Sequence, residues 1–255
     1  MPATGLSRRL RVSARGALMV QPQQHPTLLA QAGARLAALT NPEPPTDESL
    51  YVLSYLGLRK GVGIISLALP IVLLVGKPVL DGGGMPGSIS AYYYTSMRNY
   101  FVGSLCALAV FLFSYKYAPR DNFLSTVTAL FALGVVFFPT TPPGEATTWT
   151  GVVHLVCAAS FFLLLAYFAY FVFTRPPLPR EQVEVRKRAR NQIYRVCGAT
   201  VVVCLLLVPV SDLVLSDAAR ARVHPLFWLE TLAIFAFSTS WLVKGGFLFA
   251  DRTSR

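Results

Sequence analysis

From about residue 61 onward the chain alternates long apolar runs with short polar stretches. The apolar runs are approximately Gly61–Leu80, Asn99–Tyr115, Asn122–Pro139, Trp149–Phe173, Gln192–Leu215 and Leu226–Phe249. Each is about 18–25 residues long, enough at 1.5 Å per residue to cross a ~30 Å hydrocarbon layer as a helix. A helical turn or more is expected at Tyr51–Lys60, ahead of the first. The pattern predicts an all-α fold: an integral membrane bundle of six transmembrane helices occupying residues 51–250.

Residues 1–50 differ from the rest. They are rich in Arg, Pro, Gln and Ala, and their apolar piece Gly16–Val20 is too short for the core of a signal peptide. They read as a cytoplasmic, largely disordered extension. Within it, Pro26–Thr40 spaces Leu28, Leu29, Leu36 and Leu39 along one helical side, which predicts a surface helix over 26–40. The prolines of Asn41–Asp47 then interrupt any helix and make a linker.

Composition agrees with a membrane protein. The chain is 54% hydrophobic and only 14% charged, too apolar for an ordinary soluble domain of 255 residues. Its net charge of +11 would point to nucleic acid in a soluble protein, but the basic residues flank apolar segments, so no nucleic-acid partner is expected. Lys and Arg concentrate at Arg59 and Lys60, at Lys116 and Arg120, between Arg175 and Arg195, and at Lys244, Arg252 and Arg255. The loops 81–95, 140–148 and 216–225 are poorer in them. The positive-inside rule therefore places both termini in the cytoplasm and these three loops outside, as expected for a bacterial inner (cell) membrane protein. All four cysteines lie in apolar segments, with no zinc spacing and no disulfide framework.

Candidate chemistry gathers at one depth. Ser88, Ser90, Tyr92, Tyr93, Tyr94, Thr95, Arg98 and Asn99 crowd the outer mouth of the second helix. His154 lies roughly 7 Å below the outer end of the fourth helix by its rise per residue. Asp212 lies near the outer end of the fifth and Glu230 near that of the sixth. Charges in lipid cost at least ~2.5–3.5 kcal/mol near the centre and less when paired, so these groups are expected to face one another. They could form a closed polar plug, with Arg98 paired to Asp212 or Glu230, snorkel separately to the interface, or line a pocket. As a pocket they could bind a lipid or amphipathic anion through Arg98 and the hydroxyl groups, with Phe101, Phe161 and Phe237 along its tail. The alternative is a metal-dependent membrane hydrolase with His154, Asp212 and Glu230 holding zinc, although no diagnostic spacing supports it. Otherwise no cofactor is expected and no enzymatic template is present: GxSxG, P-loop and dinucleotide motifs are all missing. Membrane lipids are the expected partners. A third reading is a structural subunit bound to another membrane protein.

Several motifs carry a resemblance. Ser88-Ile-Ser-Ala-Tyr-Tyr-Tyr-Thr followed by Arg98, Phe131–Thr140, His154, Arg190–Gly198, Phe227-Trp-Leu-Glu and Trp241-Leu-Val-Lys-Gly resemble a group of bacterial multi-pass membrane proteins over roughly residues 50–247. More remotely, the Ile-Ser motif, the Arg entering the second helix and the His of the fourth are similar to the six-helix superfamily of DRAM-type and Sfk-type proteins, which implies a role in lipid or membrane homeostasis. A likeness to the ceramidase and adiponectin-receptor class would imply zinc held by several histidines, where this chain has only His154 within a span.

Overall fold

The computed structural model describes residues 47–115, 119–175 and 185–247. Contacts divide the chain after Thr46, and all of these residues belong to the second unit, Asp47–Arg255. The extension 1–46, its surface helix and the linker lie outside the described residues. The described chain is all-helical, with no strand among the described residues.

Helix α1 (Asp47–Leu80) precedes a 3-10 turn (Ser90–Tyr94). Next come α2 (Arg98–Phe113), α3 (Pro119–Phe137) and α4 (Trp149–Tyr167), the last continuing into a π turn at Phe168–Val172. The long α5 (Val185–Val214), the short α6 (Asp217–Val223) and α7 (Pro225–Lys244) complete the fold. Four helices are long and apolar enough to cross a membrane: Leu56–Leu80, Trp149–Val172, Lys187–Val214 and Pro225–Lys244. The other two expected spans are apolar but shorter, at Arg98–Phe113 and Asp121–Phe137.

Three elements exceed what the apolar pattern predicts. Helix α1 begins fourteen residues before Gly61, because Asp47–Lys60 is polar yet free of helix-breaking residues apart from Gly57. Helix α5 likewise starts within the basic run, since Arg, Lys and Gln are good helix formers. The loop after α5 holds α6, opened by Ser216, whose hydroxyl accepts the Ala219 N–H.

The six longer helices pack as a closed ring. Helices α1 and α2, α2 and α3, α3 and α4, α4 and α5, α5 and α7, and α7 and α1 are all neighbours. Between apolar helices in lipid, burial against other apolar surface gains little, so close backbone approach and dispersion must hold the ring together. Gly198 on α5 shows how. A Cβ there would stand 2.9 Å from the Tyr170 Cβ and 3.0 Å from the Ala166 carbonyl, at the π turn. Phe173 N–H closes that turn onto the Phe168 carbonyl at 2.9 Å. Hydroxyl groups in the ring bond back to their own helices, as Ser238 does to Ile234 O at 2.6 Å and Thr128 to Leu124 O at 2.7 Å.

Gly198→Leu is expected to destabilise the protein by about 1–3 kcal/mol, because backbone atoms meet the new side chain and cannot swing aside. Gly103→Ala on α2 is the control, since nothing lies within 4 Å of the place its added methyl would take. Thermal unfolding in detergent should show a lowered midpoint for the first variant and none for the second.

Candidate functional site

The ring encloses a cavity of about 40 Å³, with room for more than one water molecule. Its wall is apolar: Leu69 of α1, Phe101, Leu105 and Leu108 of α2, and Phe161 and Leu165 of α4 supply most of it. Helix α7 adds Ile234 and Phe237. Polar groups enter the lining at Ser66, Ser90 and Glu230. The Ser66 hydroxyl is committed to the Val62 carbonyl one turn earlier.

Glu230 is placed by two connections of opposite polarity between α7 and the segment before the 3-10 turn. The Phe227 N–H donates to Gly87 O at 3.1 Å, and the Ile89 N–H donates to Glu230 Oε2 at 2.6 Å. The Ser90 amide is directed at the same carboxylate. Helix α7 starts sharply enough for this because His224 turns the chain at a left-handed φ of 49° and Pro225 fits the first helical position. A carboxylate offers about four acceptor positions, so two amides leave capacity for a donor arriving from the cavity.

The remaining residues singled out above go elsewhere. Ser88 Oγ accepts the Ala91 N–H at 3.0 Å, and Thr95 Oγ1 donates to Tyr92 O at 2.8 Å, so both shape the turn. Tyr92 is buried and packs its ring 6.2 Å from that of Phe227; burial raises its phenol above the ordinary value. Tyr94 donates to Thr140 O at 2.5 Å, tying the turn to the loop after α3. Arg98 is exposed. It donates to the Tyr93 hydroxyl at 2.5 Å, with its guanidinium carbon 4.1 Å from that ring's centre. Asn99 is exposed. Asp81, unremarked in the sequence, anchors the same region: Ser96 donates to it through both hydroxyl and amide, which holds its carboxyl below the usual range.

Two expectations are corrected. Arg98 pairs with neither Asp212 nor Glu230. Asp212 is exposed and has Arg220 beside it at 3.5 Å. The expected zinc ligands do not converge, and among the described residues no group of three His, Cys, Asp or Glu side chains could hold a metal ion. Equal depth in the sequence did not translate into shared position, because each ionisable group found a partner on its own or an adjacent element.

His154 shows this clearly. It is 5% exposed, and its Nδ1 lies 3.2 Å from Val135 O and 2.8 Å from Phe138 O. Both partners only accept, so Nδ1 carries the proton and donates to the carbonyls at the end of α3. Among the described residues Nε2 has no hydrogen-bond partner. His154→Ala is expected to cost about 1–3 kcal/mol by stranding buried carbonyls, read as a lowered unfolding midpoint with unchanged metal content by elemental analysis.

The cavity itself was not legible as a site. Its wall is ordinary apolar sequence, and the only signal was the placement of Glu230 inside an apolar run. Comparison with protein-family models, with curated proteins and with solved structures found no match for this chain.

Proposed function

We propose that the protein is a non-enzymatic membrane protein that binds an amphiphile inside its helical ring. The apolar tail lies along Phe101, Leu105, Phe161 and Ile234, and a hydrogen-bond-donating headgroup, hydroxyl or ammonium, meets Glu230. The observation that carries this reading is an apolar cavity ending at one carboxylate with unused acceptor positions. Arg98 lies outside that lining, so the headgroup favoured here is a donor and not the anion that Arg98 alone implied.

The reading includes six membrane crossings in a bacterial inner membrane with both termini cytoplasmic. Large apolar side chains face outward on the two shorter helices as well, among them Val110 and Phe113 on α2 and Phe123 and Leu130 on α3. A lipid surround would solvate them. Sidedness is supported by the joining of Arg59 of α1 to the Lys244 carbonyl of α7, and of Arg175 to Asp121 of α3, at the ring's basic end.

Glu230→Gln tests the headgroup. Binding of a long-chain primary amine to purified protein, followed by native mass spectrometry, should weaken at least tenfold, while a long-chain alkyl phosphate should bind neither form. Equal amine binding by the two proteins, or tight binding of the phosphate by the wild type, would refute the assignment.

A further inference from the structure

Opposite the end of the ring that carries Glu230, cations accumulate around one carboxylate. Arg59 of α1 is 7% exposed; it donates to the Tyr115 hydroxyl at 3.1 Å and to the Lys244 carbonyl at 3.4 Å. Lys244 closes α7, where its Nζ donates to Phe173 O at 3.3 Å and lies 5.5 Å and 5.8 Å from the ring centres of Phe173 and Tyr194. The charges of Arg59, Arg190 and Lys187 all act on Lys244, and among the described residues the carboxylate acting on it is Asp121. Asp121 is itself buried and bound by Arg175 at 2.8 Å. Three elements thus bring four cations together, from α1, α5 and α7, beside one carboxylate already engaged by a fifth.

Like charges held close in a partly buried site repel, and the repulsion is relieved by an anion supplied from outside. A cleft between spanning helices at the basic face of a membrane protein meets one such anion at high local concentration, the phosphate of a lipid headgroup. Arginine offers it a planar pair of donors and lysine a compact charge, and both types are present here.

We propose that Arg59, Lys187, Arg190 and Lys244 form a binding site for the phosphate of an anionic membrane lipid at the basic end of the bundle. Arg59 and Lys244 are the inner pair, fixed by their carbonyl and aromatic contacts. Lys187 and Arg190, one turn apart on α5, are the outer pair that closes over the headgroup. This site is separate from the Glu230 cavity and stands whether or not the cavity binds an amphiphile.

The test uses full-length protein in nanodiscs of phosphatidylcholine containing a graded fraction of phosphatidylglycerol. Native mass spectrometry after detergent transfer reads the phospholipid retained. Wild type is expected to retain phosphatidylglycerol at least tenfold over phosphatidylcholine. The double variant K187Q/R190Q, on the half-exposed pair, should lose that preference without a change of unfolding midpoint in pure phosphatidylcholine. R195Q, which removes an exposed cation further along α5, should keep it. Millimolar inorganic phosphate should not displace the lipid. Equal retention by wild type and K187Q/R190Q, or equal loss in R195Q, overturns the site. Displacement by inorganic phosphate overturns the lipid as its ligand in favour of a free anion.

Discussion

Ala158→Leu is expected to leave the bundle folded and to empty it of bound amphiphile. Ala158 lines the cavity from α4, on the same wall as Phe161 and Leu165. Leucine is a good helix former and adds three carbons at the place where the wall is thinnest in side-chain volume. The added volume enters existing space, so the stability change should remain within the ~1–3 kcal/mol typical of small-to-large core changes. The tail, by contrast, loses the space it would occupy. Retained amphiphile, measured by native mass spectrometry after identical purification, should fall at least tenfold while the circular-dichroism spectrum stays that of the wild type.

Trp241→Ala should have the largest effect on stability. Trp241 is fully buried, and its ring stands 5.2 Å from that of Tyr115, 5.3 Å from Phe173, 5.8 Å from Phe237 and 6.3 Å from Phe168. These rings come from α7, the end of α2 and the π turn with the residue after it, so one indole joins three parts of the ring. Between helices in lipid such packing carries much of the cohesion that water would otherwise drive. Truncation of a buried Trp in a core costs about 3–5 kcal/mol, and this site has no flexible neighbour to collapse into the space. Unfolding in a graded denaturing detergent should show a loss near that size. Trp241→Phe, which keeps a ring among the others, should lose less than half as much.

Architecture was legible where it depended on the length and apolarity of runs. The spans starting at Trp149 and near Leu226 lie within a few residues of the helices Trp149–Val172 and Pro225–Lys244. Helix starts in polar sequence were not legible: Asp47–Lys60 and Val185–Asn191 are helical by propensity and packing, with no apolar run to mark them. Candidate chemistry was read from depth along each helix, and depth leaves out rotation about the helix axis. His154 faces the end of α3, Asp212 faces outward, and Glu230 faces the cavity, although all three lie near the same level. The tyrosines illustrate the same gap: Tyr92 is buried against Phe227, Tyr93 holds Arg98, and Tyr94 reaches Thr140, three adjacent residues with three unrelated tasks. A 3-10 turn sends successive side chains about 120° apart, so adjacency in sequence there means divergence in space.

That the ring cavity holds an amphiphile is tested most directly by photolabelling in membranes with a long-chain amine carrying a diazirine near the end of its tail. The account predicts adducts on Phe101, Leu105, Phe161 and Ile234, lost in Ala158→Leu. Adducts confined to the outward-facing Val110, Leu130, Leu155 and Val203, and unchanged in Ala158→Leu, would contradict it.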